Sequence, residues 1–366
     1  MSKYNRKQQI IINLLDNIAR LNSGHPIPAL IKQIILERPI YLPMFIQRVD
    51  VSNTTNTRSV AESFNSRCYQ SMTNDHQRVS TYKQWIDHTW NSNDQRWLEI
   101  GPGTDICLGK LLLDDHQDTY YTGIEINDQA YKSASMKLQK YKNASIHKGF
   151  LNESFNKLPV KVDVILHEIL GVIASAEGVG LAMSYLKTKY PNAISIPEYV
   201  STHLVLLDMR VSDIIKDLTL TINHKMFRGT IPFARCQISD DHAILEQLHM
   251  NNISLQQKHR SKCKIKRDGY MSVLGIYITL MTYDISTSSN SDDPNASANW
   301  ANIGLVLPTS IQVKRNKIVT ITSEIDIRSM EPNYTILLEY DNYKYQWHIR
   351  YGDLYGEYEY LHTVKI

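Results

Sequence analysis

Trp97-Leu98-Glu99-Ile100-Gly101-Pro102-Gly103-Thr104 is the stretch that decides the fold. A short apolar run enters two glycines one residue apart. A strand that turns so sharply into a helix uses glycine to let the backbone pass close to a ligand. A lone Gly-x-Gly also serves steric turns, so the neighbouring segments carry the reading further. Downstream come Tyr121-Thr122-Gly123-Ile124-Glu125-Ile126, a helical stretch over 128–142, and Val162-Asp163-Val164-Ile165-Leu166. A helix near 179–188 and Ala193-Ile194-Ser195-Ile196 before Pro197 complete the set. From about residue 67 to 198, then, strands alternate with helices. That order predicts an α/β fold with a parallel sheet and helices on both faces.

The flanks differ in texture. Residues 7–22 place Ile11, Leu14, Leu15, Ile18 and Leu21 at helical spacing, and Leu30, Ile31, Ile34 and Ile35 mark a second helix beyond Gly24-His25-Pro26. Residues 52–59 have a loop composition, so 1–60 reads as a helical extension and 61–198 as the α/β domain. After residue 200, Val313 to Ile327 alternates with period two and is rich in β-branched residues. Tyr343-Lys344-Tyr345-Gln346-Trp347 continues the pattern past an Asp-Asn turn. Residues 199–366 are therefore expected to form an antiparallel β-barrel or sandwich. Residues 286–298 read as one long polar loop.

Composition narrows the function classes. The 366 residues are 42% hydrophobic and 21% charged with a net charge of +3, which fits a globular chain and no collagen-like or disordered class. So small a surplus predicts no nucleic-acid partner. Lys262, Lys264, Lys266 and Arg267, alternating with Cys263 and Ile265, read as the solvent face of a strand. The four cysteines form no CxxC pair and the 13 histidines no HExxH, so no metal is expected. Scattered cysteines, a polar start at Met1 to Arg6 and no apolar run near 18 residues point to a cytoplasmic protein with no membrane partner.

The cofactor is read from the first two strands. Glu125 ends the second, 22 residues after Gly103, where a carboxylate accepts hydrogen bonds from both hydroxyls of a ribose. That spacing also fits nicotinamide enzymes, but the third glycine of a pyrophosphate loop is replaced by Ile106. A nucleoside without phosphate needs no such cradle, and S-adenosylmethionine is one. Glu99 can steady the loop or meet the cofactor's ammonium. Asn152 and Glu153, after the third strand, are placed to meet the adenine amino group. Gly101, Gly103, Glu99, Glu125, Asn152 and Glu153 are thus cofactor candidates.

Several ordered motifs then resemble the protein arginine N-methyltransferases. Glu168-Ile169-Leu170-Gly171-Val172-Ile173-Ala174-Ser175-Ala176-Glu177 resembles their double-glutamate loop. Met72-Thr73-Asn74-Asp75-His76-Gln77-Arg78-Val79-Ser80-Thr81-Tyr82 resembles the helix that lids the cofactor. Ile194-Ser195-Ile196-Pro197 is similar to the strand end that hands over to their β-barrel, and Asn299-Trp300 to a variant of their Thr-His-Trp loop. The likeness covers roughly 68–198 and 268–328. It implies a Rossmann-like domain followed by a β-barrel, S-adenosylmethionine as cofactor, and a homodimer with a dimerisation arm near 205–245. Two departures stand out: His167 replaces the serine before the first glutamate, and Arg58, Ser59 and Val60 occupy positions where aromatics that cover the substrate are expected.

What the resemblance implies chemically follows from the guanidinium, which is planar, carries five N–H donors and stays protonated at neutral pH. Glu168 and Glu177 would grip it through charge-assisted bonds and aim one nitrogen, with Glu177 the better placed to receive a proton. Arg78 would offset the paired carboxylates and hold the cofactor's carboxylate, and Met72 would line the pocket near the sulfonium. Asp75 would accept a hydrogen bond from Asn299, and Trp300 completes the set. The expected activity is arginine N-methylation. Its acceptor is a small guanidine such as free L-arginine, with protein or peptide arginine as the alternative and a catalytically silent scaffold as a further one.

Overall fold

The computed structural model describes residues 61, 64, 66–209, 226–229, 231, 233–290, 293, 296–297, 300 and 302–350. The helical extension read over 1–60, residues 210–225 of the expected arm, and Asn299 lie outside them.

Five parallel strands form the first sheet: β1 (Arg96–Ile100), β2 (Tyr120–Glu125), β3 (Ala144–Lys148), β4 (Val164–His167) and β5 (Ile194–Ile196), in the order β3-β2-β1-β4-β5. Trp97, Leu98, Val164, Ile165 and Leu166 are buried, as strands covered on both faces must be. Each such side chain contributes roughly 1.5–3 kcal/mol of burial, which is why these runs are apolar rather than alternating. The chain enters this sheet through α1 (Ser66–Thr73) and α2 (His76–Thr89). α3 (Cys107–Asp115), α4 (Asp128–Leu138) and α5 (Val179–Lys189) make connections between its strands. The order reverses between β1 and β4, so the carboxyl ends of these two strands flank a crevice, the place where open α/β sheets bind ligands. α4 is shorter than the stretch read over 128–142. The buried Tyr141 ring turns the chain after Leu138, and its hydroxyl bonds Asp114.

Antiparallel sheets follow, as expected. β6 (Tyr199–Leu207), β7 (Met226–Gly229), β8 (Ala243–His249), β10 (Gly269–Thr282), β11 (Ile285–Ser288) and β12 (Asn302–Val313) make a six-stranded sheet. β9 (Gln256–Lys264), β13 (Ile318–Asp326), β14 (Asn333–Tyr340) and β15 (Tyr343–Arg350) make a four-stranded one. One hydrophobic cluster runs from the parallel sheet into both. Two boundaries differ from the sequence reading. The alternation from Val313 to Ile327 spans the end of β12, a turn with Asn316 at φ 66°, and β13. Ser286, Thr287 and Ser288, read as loop, pair with Met281, Leu280 and Thr279 as β11 after a turn at Tyr283. Small hydroxylated residues have no apolar signature, so only pairing to β10 reveals them as a strand. On β9, Lys262 and Lys264 are exposed and Cys263 between them is buried, so that alternation is a solvent face.

Candidate active site

α2 brings the first charged group inside. Asp75 caps the helix by accepting from the Arg78 amide at 3.2 Å, and the inward face carries Arg78, Thr81, Tyr82, Trp85, Ile86 and Thr89. Tyr82 donates to the backbone carbonyl of His167 at 3.0 Å, and Trp85 Nε1 to that of Ile285 at 3.1 Å. The helix is thus pinned to the end of β4, one residue before Glu168, and to β11. Arg78 is only 3% exposed. Its Nη1 lies 2.8 Å from Glu168 Oε1, and Nη2 donates to the Met72 carbonyl. Burial pulls its pKa down, but Glu168 together with Tyr82, Cys107 and Asp75 more than offsets this and the result is raised, so the guanidinium keeps its charge. Its Nε is buried with no hydrogen-bond partner among the described residues.

The glycine loop closes the opposite wall. Gly101 and Gly103 have φ of 69° and 68°, the left-handed region where other residues are strained. A Cβ on Gly103 would lie 2.7 Å from the Tyr69 ring, so α1 packs directly on this loop. Gly103 donates its amide to Glu125 Oε2 at 3.0 Å, and the Asn127 amide reaches Oε1 at 2.8 Å. Burial raises the Glu125 pKa while these backbone donors hold it down. Ile106, at the absent third glycine, adopts φ 46° and ψ 43° as the cap of α3. That costs strain for a β-branched residue, and its buried side chain compensates.

Glu99 is 2% exposed. Its Oε2 accepts from Tyr121 Oη at 2.5 Å, and the Gly109 amide also bonds the carboxyl. Burial pushes its pKa up to about 8 against these two donors, so at neutral pH the group is mostly a neutral acid. A Cβ on Gly109 would meet Glu99 Oε2 and the Tyr121 ring at 2.6 Å, so the first turns of α3 fit against this pair only with glycine there.

β4 delivers the acidic loop. Glu168 follows its last residue; the side chain is 12% exposed and accepts from Trp300 Nε1 at 3.1 Å as well as from Arg78. Trp300 also stacks on Arg78, 5.9 Å from guanidinium carbon to ring centroid. Burial raises the Glu168 pKa and Arg78 opposes the shift. Glu177 ends a short 3₁₀ turn, Ala174–Glu177, and is half-buried. Gly178 after it takes φ 90° and starts α5. His167, at the position noted for its departure, is fully buried with a pKa pushed down to about 3 by burial, so it is neutral.

These pieces line one cavity of about 280 Å³. Met72, Arg78, Glu99, Gly101, Gly103, Glu125, Glu168 and Glu177 all face it. Asn152 and Glu153 fall on the single helical turn Leu151–Ser154. Glu153 is exposed and accepts from the Phe150 amide at 3.2 Å, while Gly149, Phe150 and Leu151 are the lining residues there. Asp75 accepts from the Ser297 hydroxyl, which fastens the loop leading to Trp300 onto the cap of α2. Sequence reasoning missed Tyr69, Ser297 and Arg328. Tyr69 lies one helical turn before Met72 and was within reach of a periodicity argument. Arg328, on the β13–β14 connection, enters the cavity wall from a distant part of the chain with no local signal.

The donor set fits S-adenosylmethionine. Arg78 with its unpartnered Nε would hold the carboxylate, Glu125 the ribose, and the glycine loop the close approach of the nucleoside. Among the described residues no three His, Cys, Asp or Glu gather as a metal site, and no helix is long and apolar enough to cross a membrane.

No protein-family model matches the chain, and no curated protein matches it in sequence. Solved structures do match in shape. A chain of the Trypanosoma brucei PRMT1 enzyme-prozyme heterotetrameric complex with AdoHcy superposes with a TM-score of 0.61 at 12% identity, over 76% of this chain and 98% of that one. Arabidopsis thaliana protein arginine methyltransferase 10 does so with 0.60 at 11%, over 80% and 99%. A parallel five-stranded Rossmann-like sheet followed by antiparallel sheets, joined around this crevice, gives the chain the fold of the protein arginine methyltransferases.

Proposed function

We propose that the protein is an S-adenosylmethionine-dependent arginine N-methyltransferase whose preferred acceptor is a small guanidine, free L-arginine first. The observation that carries this reading is Glu168: a nearly buried carboxylate gripped by Arg78 and Trp300, opening onto the same cavity as Glu177 and the glycine loop. The cofactor supplies an electrophilic methyl group. The chain's own residues do the rest. Glu168 and Glu177 bind the acceptor's N–H groups through charge-assisted bonds and fix one nitrogen for attack. A new N–C bond forms as the methyl leaves sulfur. The guanidinium loses one proton, which Glu177 takes, and the product keeps a single positive charge. Arg78 opposes the rise in pKa that burial imposes on Glu168.

A small acceptor is favoured by the cavity's basic residues. Among its lining residues only Arg78 and Arg328 are basic, and Arg328 stands on the side of the antiparallel sheets, oriented by Asp326 through Nε at 3.0 Å and Nη2 at 2.7 Å. A free amino acid brings a carboxylate for Arg328 to meet; an arginine within a peptide has none. The second reading, a peptide acceptor, is favoured by the names of both similar structures, and the prozyme in one of them keeps a silent role in view.

The test is mass spectrometry of free L-arginine, and separately of an arginine-rich peptide pool, after incubation with the protein and S-adenosylmethionine. Methylarginine that falls by about 10²–10³ in Glu168→Gln supports the proposal. Methyl on peptides alone transfers it to the second reading, and no product from either pool, with cofactor still bound, overturns catalysis.

A further inference from the structure

We propose that Glu246, on β8, is a positioning residue that sets the Ala174–Glu177 turn and through it the aim of Glu177. The inference rests on the reading of Glu177 as part of the acceptor site. Glu246 is fully buried, 71 residues from the turn, on a sheet that carries none of the cofactor candidates. Its Oε1 accepts from the Ser175 amide at 3.0 Å and from Thr202 Oγ1 at 2.8 Å, and its Oε2 from Ser175 Oγ at 2.6 Å. Thr202 Oγ1 in turn accepts from the Ala174 amide at 3.1 Å. Because the Ser175 hydroxyl proton is spent on the carboxylate, the Tyr334 hydroxyl, 2.7 Å away on β14, donates to Ser175 Oγ. One carboxylate therefore ties the turn to β6 and β8 of the six-stranded sheet and, through Ser175, to β14 of the four-stranded one.

The cost of this arrangement argues for a purpose. A buried carboxylate is expensive unless every lone pair is met, and a serine against an apolar wall would hold a loop at less cost. What the carboxylate adds is direction. It receives both the backbone N–H and the hydroxyl of Ser175, so the turn cannot rotate about that residue without breaking two hydrogen bonds. Glu177 lies two residues further on, and the Gly178 amide closes back on the Ser175 carbonyl at 3.0 Å. Glu177 is thus held between a pinned residue and a left-handed glycine, while Glu168 is held separately by Arg78 and Trp300. The two carboxylates of one site are aimed by different parts of the molecule.

Glu246→Gln keeps the shape but turns one acceptor into a donor facing donors. Amide hydrogen exchange across 171–178 reads the anchoring without turnover. Exchange should quicken there at least ten-fold while α2 and β1 keep their protection. Unchanged exchange, or a rise across the whole chain with a lowered Tm, overturns the proposal. Kinetically, Glu246→Gln should lower kcat by about ten-fold with cofactor Kd within two-fold. In the double variant with Glu177→Gln it should cost nothing further, whereas losses that multiply overturn the proposal. Thr202→Val, which strands the Ala174 amide, is a second route to the same signature should Glu246→Gln not fold. If Glu177→Gln leaves turnover intact, the functional reading of that residue fails, and the exchange measurement still decides the anchoring.

Discussion

At the scale of single residues, Glu99 has the largest pH consequence. Its carboxyl titrates near 8 when folded and near 4.5 when exposed. Below about 4.5 both states hold the proton. Between there and about 8 the unfolded chain releases it and the folded chain keeps it, so the neutral group's contribution to stability is lost as pH rises through that window. At 1.36 kcal/mol per unit the loss is on the order of 3–5 kcal/mol. Glu99→Gln, neutral at every pH, should remove this slope. Denaturant titrations at pH 5, 7 and 9 should show the variant gaining on the wild type as pH rises, and parallel curves would sink the idea. The sequence placed Glu99 at the loop; it could not show that Tyr121 and Gly109 both bond its carboxyl. That contact depends on a ring that β2 brings across from 22 residues away.

At the scale of elements, α2 is where cap and site coincide. Asp75 both caps the helix and accepts from Ser297. Asp75→Ala should cost about 1–2 kcal/mol through the lost cap and loosen cofactor binding about ten-fold, since Arg78 sits three residues on. Thermal melts and calorimetry check it, and a stability loss with unchanged cofactor affinity would mean that the cap does not reach the site. The run from Met72 to Tyr82 was legible through the family helix it resembles, but the helix breaks at Asn74-Asp75, so Met72 lies on α1 and Arg78 on α2. Apolar runs such as Val164–Leu166 were legible because parallel strands are buried on both faces. β11 was not, since its serines and threonine look like loop until paired. The bond from Ser297 to Asp75 was not either: a contact between residues 222 apart follows no period.

At the scale of the whole molecule, the cavity is a joint product of the parallel sheet and the antiparallel half. The first supplies the glycine loop, Glu125, Glu168 and Glu177; the second supplies Arg328, with Glu246 behind the wall. Fold class was readable because periodicity is local. The contacts that cross between the halves are separated by tens of residues and leave no trace in spacing. Arg328 is exposed, so its effect on an acceptor is screened and modest. Arg328→Ala should raise KM for L-arginine by up to about five-fold and leave agmatine, which has no carboxylate, unchanged. Equal effects on both acceptors would remove Arg328 from acceptor recognition.

The bond from Ser297 to Asp75 has a kinetic meaning. It fastens the segment before Trp300 to the helix that presents Arg78, so the two side chains that hold Glu168 share one attachment. Two ligands that share a wall in this way do not arrive independently. On the proposed function, a nucleoside that settles Arg78 and α2 would leave the guanidine a finished surface. The expectation on that function is ordered binding, with the acceptor a poor ligand for the empty protein and the demethylated nucleoside the last to leave, and product-inhibition patterns check it.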